Sequence, residues 1–207
     1  MDQTKKLSLG LGFLFAIIFV LAGYCSYCVF NLGRDADSIL NYNYNSMKYS
    51  RNMISALDDV RTAISSIVMD SNGVKGISEY NLRLFESGKN AFESNLKAES
   101  GNVTEIHEKE FVEQLKHDYG LYLRICLQIK SGTPAPSSYF NDFQTAGVKL
   151  KQSVNSIYDI NMQAVVRKTD ITRRDSESFI ISMGIIGFIC IILVFFYYSY
   201  FGIFPKD

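Results

Sequence analysis

The residues of this chain that could do chemistry are few: two histidines, four cysteines and a scatter of carboxylates. His107 and His117 have no second histidine, cysteine or serine at a useful spacing, so neither a metal site nor a base-activated nucleophile can be assembled around them. Cys25 and Cys28 form a C-x-x-C inside an apolar run, Cys190 lies inside a second run, and only Cys126 falls between the two, on an apolar helical face. The C-x-x-C step puts both thiols on one side of a helix, where apolar packing is the ordinary role and an inter-subunit crosslink the sharper one. No glycine-rich nucleotide loop is present. Formal net charge is zero and the charges are scattered, which leaves no electrostatic footprint for nucleic acid. These absences predict a chain with no catalytic site, no metal and no cofactor.

The elements that frame these residues are two uncharged apolar runs, 7–30 and 178–205, each longer than the roughly 20 residues that cross a hydrocarbon core. Phe195, Phe196, Tyr197, Tyr198, Tyr200 and Phe201 cluster late in the second run, as rings do at a headgroup boundary. Lys5, Lys6 and Lys206 outside the runs favour both termini inside, against Arg173 and Arg174 on the other flank. The alternative for the first run is a cleaved signal, suggested by Lys5-Lys6 and Ala22-Gly23, but the run is too long for one, and Cys25 comes one residue late for a lipoprotein box. The expected division is a cytoplasmic 1–6, a transmembrane helix at 7–30, a periplasmic helical sensor domain at 31–177, a second transmembrane helix at 178–202 and a cytoplasmic start of a linker at 203–207.

Between the runs the spacing predicts four helices. Ile39, Asn43, Ser46, Ser50, Met53, Leu57, Val60, Ile64 and Ile67 alternate steps of three and four, ending at Asp70-Ser71-Asn72-Gly73. A second helix, about 77–96, has its seam in Ile77, Tyr80 or Asn81, Leu84, Gly88, Phe92 and Leu96. Asn102 followed by Glu105 reads as the N-cap signal of a third, with Val112, Leu115, Tyr119, Tyr122, Cys126 and Ile129 inward. After the breaker Ser131-Gly132-Thr133-Pro134-Ala135-Pro136, the fourth keeps its step from Phe140 through Phe143, Gly147, Leu150, Val154, Ile157, Asn161, Ala164, Lys168 and Ile171, with nothing to part it from the second run. The expected fold is all-α: two transmembrane helices continuous with an up-down-up-down four-helix bundle.

The outer arms are each about 42 residues, or roughly 63 Å, whereas helices two and three reach only about 30 to 42 Å. That mismatch predicts a neck of two helices near the membrane, with Asn43, Ser46 and Ser50 at the depth of Asn161 to Lys168, where these polar groups meet each other, water, a second protomer or a ligand. Ile39, Leu40, Ala164 and Ile171 would then lie bare, and a two-fold mate would cover them, so a homodimer is expected. The other expected partners are the lipid bilayer and a small ligand or periplasmic protein.

Ile39-Leu40, Asn43-Tyr44, Ser46-Met47, Ser50, Met53 and Ala56-Leu57 resemble the segment after the first span of bacterial transmembrane histidine kinases, especially the Bacteroidetes type. Ile157, Ile160-Asn161, Ala164 and Lys168 are similar to the segment preceding their second span, and Phe204-Pro205-Lys206-Asp207 to the start of their HAMP linker. The resemblance implies the sensor region of such a kinase in an inner membrane, truncated before the output domains. The family's phosphoacceptor is a His-Glu followed by proline, whereas His107-Glu108 continues Lys109-Glu110-Phe111, so it reads as a solvated helix residue. Asn43, Ser46, Asn161, Arg167 and Lys168 are the expected ligand or coupling residues. A chemotaxis-type receptor sensor and a freestanding two-span modulator of other receptors share the same layout and stay open.

Overall fold

The computed structural model describes residues 3–71, 78–131 and 139–201. The chain is all-α, with no strand among these residues. Helix α1 spans Gln3–Ser38 and passes through a five-residue π-helical segment, Ile39–Asn43, into α2, Tyr44–Ser71; then come α3, Glu79–Ser100, α4, Glu108–Ser131, and α5, Phe140–Phe201. The expected breaks at Asn72-Gly73 and at 132–136, the linker-like 203–207 and the side chains of Tyr198, Tyr200 and Phe201 lie outside the described residues. The chain divides into two compact units, 38–167 on one hand and 1–37 with 168–207 on the other.

In the unit 38–167, α2, α3, α4 and the first part of α5 close one hydrophobic core. The three-four step causes this directly, because residues on it return to one face of a helix every turn. Met53, Leu57, Val60, Ile64 and Ile67 of α2 are buried, as are Val112, Leu115, Tyr122, Cys126 and Ile129 of α4 and Phe143, Leu150, Val154 and Ile157 of α5. On α3 the seam is Asn81, Phe85, Gly88, Phe92 and Leu96; Tyr80, the alternative to Asn81, is exposed. Rings bind the layers: Phe92 stacks on Tyr119 at 4.5 Å, and Tyr122 on Phe143 at 5.4 Å. Burial pushes the Cys126 thiol up to about 12, so this cysteine is an inert apolar filler.

Polar layers also enter this core. Asp118 is buried, and although burial opposes its charge, the Ser153 hydroxyl at 2.6 Å, the Gln114 amide at 3.0 Å and Lys149 at 2.9 Å outweigh it and hold the carboxyl below its usual range.

The third helix begins later than Asn102 and Glu105 suggest. His107 sits at φ 69°, in the left-handed region, and α4 starts at the next residue. The His107-Glu108 pair is therefore split: His107 is exposed and precedes the helix, whereas Glu108 is fully buried. Of the residues expected bare, Leu40 and Ile171 are exposed and Ile39 is half-buried, whereas Ala164 is fully buried, as are Asn43, Ser46, Ser50 and Asn161, all within the single chain.

In the other unit, Tyr24 of α1 packs on Phe179 of α5 at 5.7 Å, the Cys25 thiol meets the Met183 sulfur at 3.7 Å, and Gly10 lies so close beneath the Tyr197 ring that no Cβ fits. Both helical rods, Ser8–Met69 and Phe140–Tyr197, contain an apolar stretch long enough to cross a membrane by length and composition, and neither stretch is buried within the chain.

Gly88 marks the tightest approach of α2 to α3: a Cβ there would stand 2.9 Å from the Ala56 carbonyl oxygen and 3.0 Å from a Val60 methyl, whereas Gly120 of α4 faces open space. Gly88→Ala should lower the stability of the full chain by about 1 to 3 kcal/mol through overpacking, and Gly120→Ala should raise it by about 0.5 to 1 kcal/mol through helix propensity. Urea unfolding followed by circular dichroism in detergent measures both, and equal signs would refute the assigned packing.

Candidate functional site

Where α3 passes into α4, the core seams of all four helices turn polar together. The α2 seam runs back from Met53 to Ser50, Ser46 and Asn43; α3 adds Glu99 one step beyond Leu96; α4 adds Glu108 one step before Val112; α5 adds Asn161 one step beyond Ile157. All six are fully buried. A buried polar group without a partner costs on the order of 1 to 3 kcal/mol, so such a layer persists only if its members satisfy one another.

Most of them do. Asn43 donates both amide hydrogens, one to Glu105 Oε1 at 2.8 Å and one to Asn161 Oδ1 at 2.9 Å. Asn161 in turn donates to Glu108 Oε1 and to the Ile157 carbonyl at 3.0 Å. The other Glu108 oxygen accepts the backbone N–H groups of Thr104 at 2.6 Å and Glu105 at 3.0 Å, which fastens the loop before α4 to the helix's first residue. Glu105 closes the ring, since its second oxygen pairs with Arg167 at 2.8 Å. One continuous path of hydrogen bonds thus joins the π segment, the loop 101–107, α4 and α5.

A second clasp holds the loop to the helix before it. The Asn102 amide donates to the Ser46 hydroxyl and to the Tyr42 carbonyl, each at 2.8 Å. Tyr42 lies within the π segment, which closes through the Tyr44 N–H on the Ile39 carbonyl. π segments of a single turn concentrate at functional positions of helices because they reset which side chains face inward. Here the segment ends on Asn43, the centre of the network.

Two members are left over: the Ser50 hydroxyl has no hydrogen-bond partner, and neither carboxylate oxygen of Glu99 accepts a hydrogen bond. No basic side chain acts on Glu99, and burial pushes its carboxyl up to about 7; the nearby Ser46 hydroxyl opposes this, and the neighbouring Glu108 carboxyl reinforces it.

Of the five residues singled out in the sequence, the structure brings Asn43, Ser46, Asn161 and Arg167 into this one cluster, while Lys168 belongs to the other compact unit. Glu99, Asn102, Glu105 and Glu108 were not singled out. Glu99 and Glu108 carried a signal, because each continues its helix seam by one three- or four-residue step. No group of ligating side chains suited to a metal ion occurs among the described residues.

Asn161→Ala should destabilise the full chain by about 2 to 3 kcal/mol, because it removes the Asn161 acceptor of one Asn43 amide hydrogen and the Asn161 donor to one Glu108 oxygen. Arg167→Ala should cost less than about 1 kcal/mol, since the guanidinium is mostly exposed. Chemical unfolding of both variants in detergent gives the comparison, and an Arg167 effect equal to that of Asn161 would refute the ranking.

No family model, curated protein or solved structure matches this chain, and its function is therefore read from its own geometry.

Proposed function

We propose that the chain is the membrane-bound input module of a two-component histidine kinase, a two-pass protein of the bacterial inner membrane whose residues 31–177 face the periplasm as an up-down-up-down four-helix bundle. The observation that carries this reading is the hydrogen-bonded path Glu108, Asn161, Asn43, Glu105, Arg167, which ties to each other the two outer helices that continue in sequence into the apolar stretches. A ligand or partner that changes the pairing in this layer biases the helices that lead toward the bilayer. It does so only in proportion to its differing affinity for the two pairings.

The reading includes a homodimer. Leu40, Met162 and Val166 of the bundle are exposed apolar side chains, as is Ile171 in the other unit, while Ala164 takes no part because it is buried within its own chain. Cysteine placed at Ile171 of the full chain, with the four native cysteines replaced, should form a crosslinked dimer in native membranes. Its absence with protein present removes the dimer.

The functional test joins Asp207 in frame to a HAMP and kinase output. Asn43→Ala and Asn161→Ala should each shift autophosphorylation by about 5- to 150-fold, the range of one coupling energy, while the exposed Lys97→Ala should not. An output indifferent to both asparagines overturns the reading.

A further inference from the structure

We propose that the Glu99 carboxyl, buried against Glu108 beneath the loop 101–107, is a proton-binding site, and that the proton is the stimulus this bundle reports. The second half rests on the sensor reading above; the first does not.

The geometry separates Glu99 from every other acid in the core. Asp118 is equally buried but has a lysine, an amide and a hydroxyl turned toward it, so it keeps its charge. Glu108 is equally buried but accepts two backbone N–H groups and the Asn161 amide, the donor set that an acceptor-only carboxylate matches. Glu105 reaches Arg167. Both oxygens of Glu99 lack any such donor. A buried carboxylate without donors or counter-ion is the costly species, and the protonated acid is the form that fits.

The groups that act on this carboxyl are the Ser46 hydroxyl of α2 and the Glu108 carboxyl of α4, and the same polar layer holds Asn43 and Ser50 from the π segment and α2, Glu105 from the loop, and Asn161 and Arg167 from α5. The one cation among them is Arg167, and it is engaged by Glu105. Ionisation of Glu99 therefore sets a second negative charge beside Glu108 with nothing to receive it. Relief requires water, and the way in is to lift the loop, which is held by Asn102 on Ser46 and on the π-segment carbonyl of Tyr42. Loss of one proton is thereby converted into release of the π segment.

The direction in pH follows from linkage. The folded carboxyl binds its proton up to about 7, whereas an unfolded glutamate releases it near 4.5. Between these values the folded state holds a proton that the unfolded state lacks, so stability falls as pH rises through the window, and it levels off above the folded value.

The full chain in lipid nanodiscs decides the matter by amide hydrogen exchange of peptides covering residues 101–108, corrected for intrinsic rates. Protection should fall up to about tenfold per pH unit between about 4.5 and 7 in the native chain, level off above 7, and stay flat across the range in Glu99→Gln. A flat native profile, or a fall that persists in Glu99→Gln, overturns the proton site. Should Glu99→Gln not fold, the infrared band of a protonated carboxyl in the native chain replaces it: loss of the band with the same midpoint as the exchange supports the site, and no band at pH 6 overturns it. The kinase fusion separates the two halves. Autophosphorylation that follows pH with this midpoint supports the proton as stimulus; one that ignores pH yet responds to Asn161→Ala overturns the stimulus. One that ignores both overturns the sensor reading and leaves the proton site to the exchange data.

Discussion

The hydrogen bond from Asn43 to Asn161 constrains this molecule more than any other single contact. It lies at the point where four apolar seams give way to polar ones, and each of its two residues also donates to a carboxylate, Asn43 to Glu105 and Asn161 to Glu108. Remove the pair, and Glu108 loses a donor, Glu105 loses its link to the π segment, and the loop between α3 and α4 has less to lie against. The hold of the loop on the core end follows from that pairing, and so does the fact that α2 and α5 meet in one register. Apolar heptads alone would tolerate a slip of one repeat, since leucine and isoleucine pack acceptably against many neighbours. A slip that separated two buried asparagines would strand their amides, which is how a polar residue at a core position selects one alignment.

Much of this architecture could be read from the chain. The three-four steps named most of the buried residues of α2, α4 and α5, missing Ala56, Ala63, Val68, Glu108, Asp118 and Ser153, because a helix buries one face and the pattern of that face is written in side-chain type. Asn43, Ser46 and Asn161 stood out for the same reason, as polar residues on an apolar stripe. What escaped the reading was local and tertiary at once. Asn102 has the look of a helix cap, but its amide holds the Tyr42 carbonyl and the Ser46 hydroxyl, contacts about 60 positions away in the chain that no local pattern encodes.

Glu99 and Glu108 were passed over because charged residues at helix ends ordinarily face water, and only the layer formed by all four helices shows that these two do not. The π segment leaves no compositional mark at all. The step from Ile39 to Asn43 suits an α-helix as well, so the change of bonding is visible only in the backbone. The expected neck is covered at its polar seam and at Ala164 for a related reason: rise per residue measures helices, and the loop 101–107, bonded to Asn43 and Ser46, extends the coverage beyond where α3 stops.

The two glycines of the core divide the four-helix unit mechanically. At Gly88, α3 meets the backbone carbonyl of α2, a rigid group that cannot step aside, so that pair is keyed like a shaft in a slot. At Gly147, α5 meets only the Tyr122 ring of α4, 3.3 Å from where a Cβ would stand. That ring is fully buried and stacked on Phe143, so it yields by tenths of an ångström where a carbonyl does not yield at all. Shape therefore locks α3 on α2, whereas α5 takes its position on α4 from polar contacts, Asp118 with Ser153 and Lys149 and Glu108 with Asn161.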